Sequence, residues 1–413
     1  MRATKDSGFE WVGIIPTEWG LSKIGQVYRL RNTKVSDTDY PPLSVTNKGI
    51  VPQLDTAAKT NAHDDRKLVK KGDFAINSRS DRRGSCGISD YDGSVSLINT
   101  ILAPLNEMNP GYYDWLFHTV QFGDEFYKFG HGIVDDLWTT GWQEMKKITI
   151  PTPPLPEQQR IADFLDAKCA EIDALTADIQ AQIDTLEQYK RSVITETVTK
   201  GLNPDAETKD SGVQWIGNMP AHWNVIRGKY ILHYMQKPVR EDDGVITCFR
   251  DGEVTLRSNR REEGFTMSDK EIGYQGIDVG DLVVHGMDGF AGSIGISDSR
   301  GKASPVLNVL ETDQNKRYIM YYLRSMAYSD VFLALATGIR VRSCDLRWNK
   351  LAELSYPVPP LDEQNAIVKH IDSVLSKADA VIADKKAQLA TLDEYKKSLI
   401  FEYVTGKKEV PIS

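Results

Sequence analysis

Cysteine is scarce: four residues in 413, Cys86, Cys169, Cys248 and Cys344, with no CxxC pair among them. That spacing excludes a zinc ribbon and argues against a disulfide framework, so free thiols in a reducing compartment are expected. Long hydrophobic runs are absent too; nothing approaches the ~20 apolar residues a membrane helix needs. The opening MRATKDSGFEW has no apolar stretch of the signal-peptide kind, so a cytoplasmic protein is expected. Positive charge is not in excess: 50 Lys and Arg face 58 Asp and Glu, a net of −8, which excludes a chain coated in positive charge. Catalytic signatures are also missing. There is no GxxxxGK[ST] loop and no glycine-rich strand-to-helix turn of the dinucleotide type. No Asn/Asp-Pro-Pro-aromatic stretch occurs; Asn203-Pro204 is followed by Asp205. The seven histidines form no HExxH and no metal-like cluster.

What the chain does contain is itself, twice. Lys5-Asp6-Ser7-Gly8 returns as Lys209-Asp210-Ser211-Gly212, and the same offset of 204 pairs Trp11, Gly13, Pro16 and Trp19 with Trp215, Gly217, Pro220 and Trp223. Pro153-Pro154-Leu155 with Glu157-Gln158 returns, at an offset of 206, as Pro359-Pro360-Leu361 with Glu363-Gln364. Between these matches only islands survive, such as Gly72-Asp73 with Gly280-Asp281 and Gly87-Ile88-Ser89-Asp90 with Gly295-Ile296-Ser297-Asp298. Such a pattern is a tandem duplication with loops of unequal length on a common scaffold. Each half reads as a variable globular unit followed by a constant helical one.

The helical units carry the clearest periodicity. Ile172, Leu175, Ile179, Ile183, Leu186, Tyr189 and Val193 are three or four apart, and Val381, Leu389, Leu392 and Tyr395 continue a similar stripe in the second copy. No glycine or proline interrupts 158–200 or 363–405. Pro156 suits a first helical position, Asp362 an N-cap, and Gly201 and Gly406 the C-terminal stops. About 40 residues at ~1.5 Å each give helices of roughly 60 Å. One greasy stripe needs a partner, and the economical partner is the other copy, in an antiparallel coiled coil. Segments 157–199 and 361–405 hold −7 of the net charge, leaving the globular units near neutral.

The globular units read as mixed α/β. Segments 73–77, 95–102, 280–285 and 306–310 look like strands, and 111–126 and 315–333 like aromatic-rich helices. Polar, basic, glycine-flanked loops stand out beside them. In the first unit Asn77, Arg79, Ser80, Asp81, Arg82 and Arg83 follow a strand, with Asn47 and Lys48 as a second candidate. In the second, the candidates are Arg257, Arg260 and Arg261, then His285 and Asp288, then Arg340, Arg342 and Arg347. Arginine forks onto guanine, Asn onto adenine and Asp onto the cytosine amino group, so these are the residue types of DNA contact.

The order of parts, with its two WxGxxPxxW openings and two Pro-Pro-Leu-x-Glu-Gln helices, resembles the specificity (S) subunit of type I restriction-modification systems over essentially the whole chain. The resemblance implies an α+β fold with an internal pseudo-twofold repeat. It implies target-recognition domains at 1–150 and 202–355, separated by long antiparallel helices at 151–201 and 356–413. Each recognition domain would read one half of an asymmetric bipartite double-stranded DNA site. The helices would set the spacer and dock two methyltransferase (M) subunits, with restriction (R) subunits joining in a bacterial or archaeal cytoplasm. Adenine-N6 methylation and ATP-dependent cleavage would belong to those partners, together with S-adenosylmethionine, ATP and Mg; no cofactor, metal or catalytic residue is expected on this chain. Two other readings stay open: a self-contained DNA-modifying or DNA-cleaving enzyme, and a coiled-coil adaptor that never touches DNA.

Overall fold

The structure is a computed structural model and describes residues 2–53, 63–79, 84–133, 138–260, 272–335 and 346–411. The fold is α+β, and the chain divides into two compact units. Unit 1 comprises residues 1–179 and 386–413, and unit 2 comprises residues 180–385. The two long helices therefore each contribute to both units, and the division does not fall at the ends of the helices. Among the described residues no helix is long and apolar enough to cross a membrane. The described cysteines Cys86, Cys169 and Cys248 are free and buried. Burial pushes the Cys169 thiol up to about 11 and the Cys248 thiol up to about 12. Cys344 lies outside the described residues.

The first long helix runs Leu155–Lys200 and the second Leu361–Val404. The first starts one residue, and the second two residues, before the expected position. The Pro154 carbonyl accepts from the Glu157 and Gln158 amides at 2.8 and 3.0 Å, and the Pro360 carbonyl from Gln364 at 3.0 Å. Pro156 is thus the second helical residue, and Asp362 sits inside the first turn, where its charge suits the helix dipole. Gly201 and Gly406 close the helices at φ +75° and +68°, as left-handed stops that other residues adopt at a cost.

The helix pairing is antiparallel in each unit. In unit 1, Lys396 Nζ donates to Asp173 at 2.6 Å; in unit 2, Lys190 Nζ donates to Asp379 at 2.6 Å, and Lys385 donates to Gln182. The expected core of the pair needs correction. Ile172, Ile179 and Ile183 are buried, and Leu186, Leu389 and Leu392 half-buried, but Leu175, Tyr189, Val381 and Tyr395 are 45–54% exposed. The reason is the period. Buried Ile161, Ile172, Ile183 and Ile194 recur every 11 residues, or 3.67 per turn. A seam with that period passes through Thr176 and Lys190, both half-buried, and leaves Leu175 and Tyr189 one position off the contact.

The two units share one scaffold. Unit 1 holds a four-stranded antiparallel sheet in the order Cys86–Ile88, Phe74–Asn77, Asn99–Pro104, Tyr28–Leu30. Unit 2 repeats it as Ile294–Ile296, Leu282–His285, Leu307–Glu311, His233–Met235. The expected single helix at 111–126 is two, Pro110–Phe117 and Val120–Lys128, because the Thr119 side chain caps Phe122 N–H and starts a new helix. In unit 1, Tyr28, Phe74, Tyr113, Phe117 and Phe122 form a continuous ring cluster with centroids 4.6–6.3 Å apart. Each such pair adds about 1 kcal/mol to the area it buries.

The repeated motifs are the joints between sheet and helix. Trp19 Nε1 donates to Glu157 at 2.9 Å, and Trp223 Nε1 to Glu363 at 3.1 Å. Gln158 and Gln364 each accept a backbone amide, from Asn109 and Asn315, at 2.9 Å. Tyr112 donates its hydroxyl to the Val404 carbonyl in unit 1, and Tyr318 to the Val198 carbonyl in unit 2. Gly72 and Gly280 turn at φ +86° and +87°, so that Asp73 and Asp281 can accept the amides of Lys70 and Asp278.

Unit 2 also carries an ionic knot. Arg300 bridges Asp243 and Asp278, and Lys237 bridges Asp278 and Asp281. Arg300 and then Lys237 hold the Asp278 carboxyl at about 2. A carboxylate with a depressed folded-state value stabilises above its ordinary value near 4, and that contribution fades as pH falls toward 2. Acid unfolding of the wild-type chain should therefore show a loss of unit 2 stability across this window that the Asp278→Asn variant lacks.

Candidate nucleic-acid interface

In unit 1 the strand Phe74–Asn77 delivers the first candidate loop. Asn77 is buried and its Oδ1 accepts the Arg79 amide at 3.0 Å, so it shapes the turn rather than facing outward. Ser78 is buried as well, in a 2.8 Å hydroxyl–hydroxyl bond with Thr100. Arg79 is exposed, and its backbone bridges to Thr139. Ser80, Asp81, Arg82 and Arg83 lie outside the described residues. Asn47 and Lys48 occupy the exposed tip of the hairpin Leu43–Thr46/Gly49–Pro52, where Thr46 Oγ1 accepts the Lys48 amide and donates to the Gly49 carbonyl.

That hairpin lies directly on the strand Cys86–Ile88 that leaves the loop: a Cβ on Gly87 would stand 2.7 Å from Gly49 Cα. Unit 2 repeats the crossing. A Cβ on Gly295 would stand 1.9 Å from the Gly252 carbonyl oxygen, at the tip of the hairpin Ile246–Cys248/Val254–Leu256. The matched glycines of the Gly-Ile-Ser-Asp islands are thus the points where a hairpin presses on the sheet. In unit 2 the hairpin tip and the loop after Leu282–His285 meet at one edge, where Arg250 bonds Asp288.

In unit 2 this edge is crowded with charge. Arg250 donates to Asp288 at 3.1 Å. Arg260 pairs with Asp251 and Glu253 and covers the Phe249 ring at 4.2 Å. Arg324 Nη2 donates to the Asp251 carbonyl at 2.7 Å. His285 Nδ1 accepts the amides of Met287 and Asp288 at 3.2 and 2.9 Å, and burial holds the ring's value below the ordinary 6.5. It therefore sits as a neutral turn-former. The Leu346 amide donates to the Gly286 carbonyl, which brings exposed Arg347 beside the same turn. Arg257 Nε reaches Thr247 Oγ1 at 3.3 Å. Arg261, Arg340 and Arg342 lie outside the described residues.

The structure therefore gathers Arg260, His285, Asp288 and Arg347 at one edge and adds Arg250, Asp251 and Arg324, which the sequence reading passes over. The signal was available: Gly295 repeats Gly87, so whatever crosses Gly87 in one unit must have a counterpart crossing Gly295. Beside these residues a cleft of about 630 Å³ opens within unit 2, lined by Lys190, Arg191, Arg250, Asp251, Arg324 and Tyr328 among others. Among the described residues, no group of three or more His, Cys, Asp or Glu could hold a metal ion. The edges present donors and acceptors on fixed turns, which suits reading a polar surface.

Comparison with known proteins fits this geometry. Residues 16–185 match the family described as the type I restriction modification DNA specificity domain. A protein assigned as the MjaX specificity subunit of a type I restriction enzyme of Methanocaldococcus jannaschii is 26% identical over 281 residues, covering 65% of this chain. The chain spans 61% of that relative's length. The MjaVIII specificity subunit of a type I restriction enzyme, from the same organism, is 24% identical over 341 residues, covering 77% of this chain and 76% of that one. A chain solved in work on complex assembly and conformational transition of the type I R-M system superposes with a TM-score of 0.70 at 14% identity, over 95% of this chain and 99% of that one. That last likeness is one of fold.

Proposed function

We propose that this chain, which matches the type I restriction modification DNA specificity domain over residues 16–185, is the non-catalytic subunit that reads DNA for a type I restriction-modification complex. Each unit reads one half of a bipartite site. One observation carries this reading: the two units share a sheet, a hairpin crossing and a tryptophan–glutamate joint, yet present unrelated side chains at the same edge. Unit 1 offers Asn47, Lys48 and Arg79; unit 2 offers Arg250, Arg260, Asp288 and Arg347. Identical scaffolds with different text suit two different half-sites, so the target is asymmetric.

The long helices set the spacer and dock two methyltransferase subunits; restriction subunits complete the assembly. Adenine methylation with S-adenosylmethionine and ATP- and Mg-dependent cleavage reside on those partners, and so does extrusion of the target base. Near-neutral globular units are compatible with this role if the partners supply much of the phosphate contact.

The test is selection from random duplex DNA by the chain reconstituted with its methyltransferase. One bipartite motif is expected. Arg79→Ala with Arg82→Ala and Arg83→Ala should relax one half of that motif only, since an arginine that forks onto a guanine contributes about 1–3 kcal/mol of discrimination. Selection of no motif, or methylation by the isolated chain, would overturn the proposal.

A further inference from the structure

The cleft of about 630 Å³ in unit 2 is walled by the first long helix, the helix Lys316–Tyr328 and the hairpin tip at Asp251. Two guanidiniums in it share one ring. Arg191 lies over Tyr328 at 5.3 Å and Arg324 at 5.7 Å, and Arg324 Nε donates to the Tyr328 hydroxyl at 2.8 Å. A ring attracts each cation only modestly, and two cations on one ring repel each other.

Most acids of the cleft are committed to other cations. Glu187 and Asp379 both hold Lys190, at 3.1 and 2.6 Å, and Asp251 holds Arg260. Asp330, exposed and turning the chain at φ +55°, is the remaining carboxylate on the wall. Among the described residues neither Arg191 nor Arg324 makes an ion pair.

The scaffold does not require this pair of charges. In the register that matches Tyr318 with Tyr112, Tyr328 stands where unit 1 has Phe122, Arg324 where it has His118, and Arg191 where it has Lys397. Phe122 is buried in the ring cluster, and Lys397 is held by Asp393 and Glu394. The residue matching Glu394 is Gln188, and Glu187, which matches Asp393, is taken by Lys190. The helix cation of unit 2 thus lacks the acids that neutralise its counterpart.

Its position points to the ligand. Arg324 Nη2 also holds the Asp251 carbonyl at 2.7 Å, and adjacent Arg250 bonds Asp288 on the edge described above. A duplex read at that edge brings its backbone alongside, and guanidiniums grip phosphate oxygens through paired, charge-assisted bonds. We propose that Arg191 and Arg324 bind one phosphate of the DNA backbone beside the half-site read by unit 2. The inference rests on the DNA-reading role above and gives this chain's own helix a contact that positions the duplex without reading sequence.

The experiment uses the complex reconstituted with its methyltransferase on its own selected motif, with affinity measured between about 50 and 200 mM salt. Arg191→Gln should weaken selected and unrelated duplexes alike, by roughly tenfold at low salt, and leave the motif as it is. It should also lower the slope of log affinity against log salt by about 0.9, the share of one phosphate. Arg191→Lys should keep that slope. Single neutral methylphosphonates are then placed along the duplex. One position, in or beside the half-site that the unit 1 arginine variant leaves intact, should weaken wild type and not Arg191→Gln. An unchanged salt slope, a sensitive position confined to the other half-site, or loss of a methyltransferase copy from Arg191→Gln would overturn the proposal. So would inorganic phosphate bound by the DNA-free complex through Arg191 with DNA affinity unaltered, which would make the cleft a site for a small phosphate. Selection of no motif at all would instead strike the DNA-reading role on which it rests.

Discussion

Replacing Glu157 with alanine should destabilise unit 1 by about 2 kcal/mol, within the range for leaving a buried donor without its acceptor. Glu157 receives Arg2 through two bonds, at 2.5 and 2.7 Å, and Trp19 Nε1 at 2.9 Å, with its side chain only 10% exposed. Alanine would leave the Trp19 indole N–H without its acceptor and the Arg2 guanidinium with Glu18 as its remaining carboxylate, and that loss exceeds the worth of a surface pair. Glutamine should cost less, because its carbonyl can still accept from Trp19. The second copy makes the comparison internal. Glu363 holds Trp223 in the same way, but its other partner is His222, 54% exposed, in place of Arg2. Glu363→Ala should therefore cost clearly less than Glu157→Ala in denaturant midpoints. Equal losses at both positions would show that the tryptophan bond dominates and that the arginine adds little.

This asymmetry marks how far the sequence could be read. Residues that recur in both halves were legible because each makes a contact that the scaffold needs twice. Glu157 and Glu363 hold tryptophans, Gln158 and Gln364 satisfy backbone amides, and Gly87 and Gly295 admit a hairpin. Repetition turned those contacts into visible text. The candidate interface was only half legible, because its residues differ between the copies and repetition gives no help. Asn77 has the right chemistry for a base edge, yet its amide is folded back onto Arg79. His285 follows a strand as a reading residue might, but its ring nitrogen fastens the turn that positions Asp288. Arg250 and Arg324 carry no local signature; tertiary contact with the hairpin tip brings them to the edge. The same limit explains the helices. A stripe spaced three and four apart does not distinguish Leu175 from Thr176, and only the facing helix decides which lies in the seam.

Leu175 and Tyr395 in unit 1, and Tyr189 and Val381 in unit 2, are apolar residues within the helix pair that the pairing leaves in water. The repeat matches them: Tyr189 with Tyr395 and Leu175 with Val381, each at an offset of 206. Antiparallel pairing groups one of each kind per unit, close to the Asp173–Lys396 pair in the first and the Lys190–Asp379 pair in the second. Two equivalent apolar spots on otherwise charged helices are what two copies of one partner require, and exposed tyrosines are strong anchors in interfaces. Under the proposed docking of two methyltransferase subunits, Tyr395→Ser with Leu175→Ser should yield a complex holding one copy. Tyr189→Ser with Val381→Ser should do the same through the other spot. Combining all four should leave the specificity chain alone, with its own unfolding midpoint nearly unchanged because none of these side chains is in the core. Each anchor lost should weaken its site by about 2 kcal/mol or more, roughly thirtyfold per residue. Native mass spectrometry reads the stoichiometry directly. Two copies retained by the fourfold variant would move the docking surface away from the helices, and simultaneous loss of both copies from either double variant would mean that the spots do not act separately.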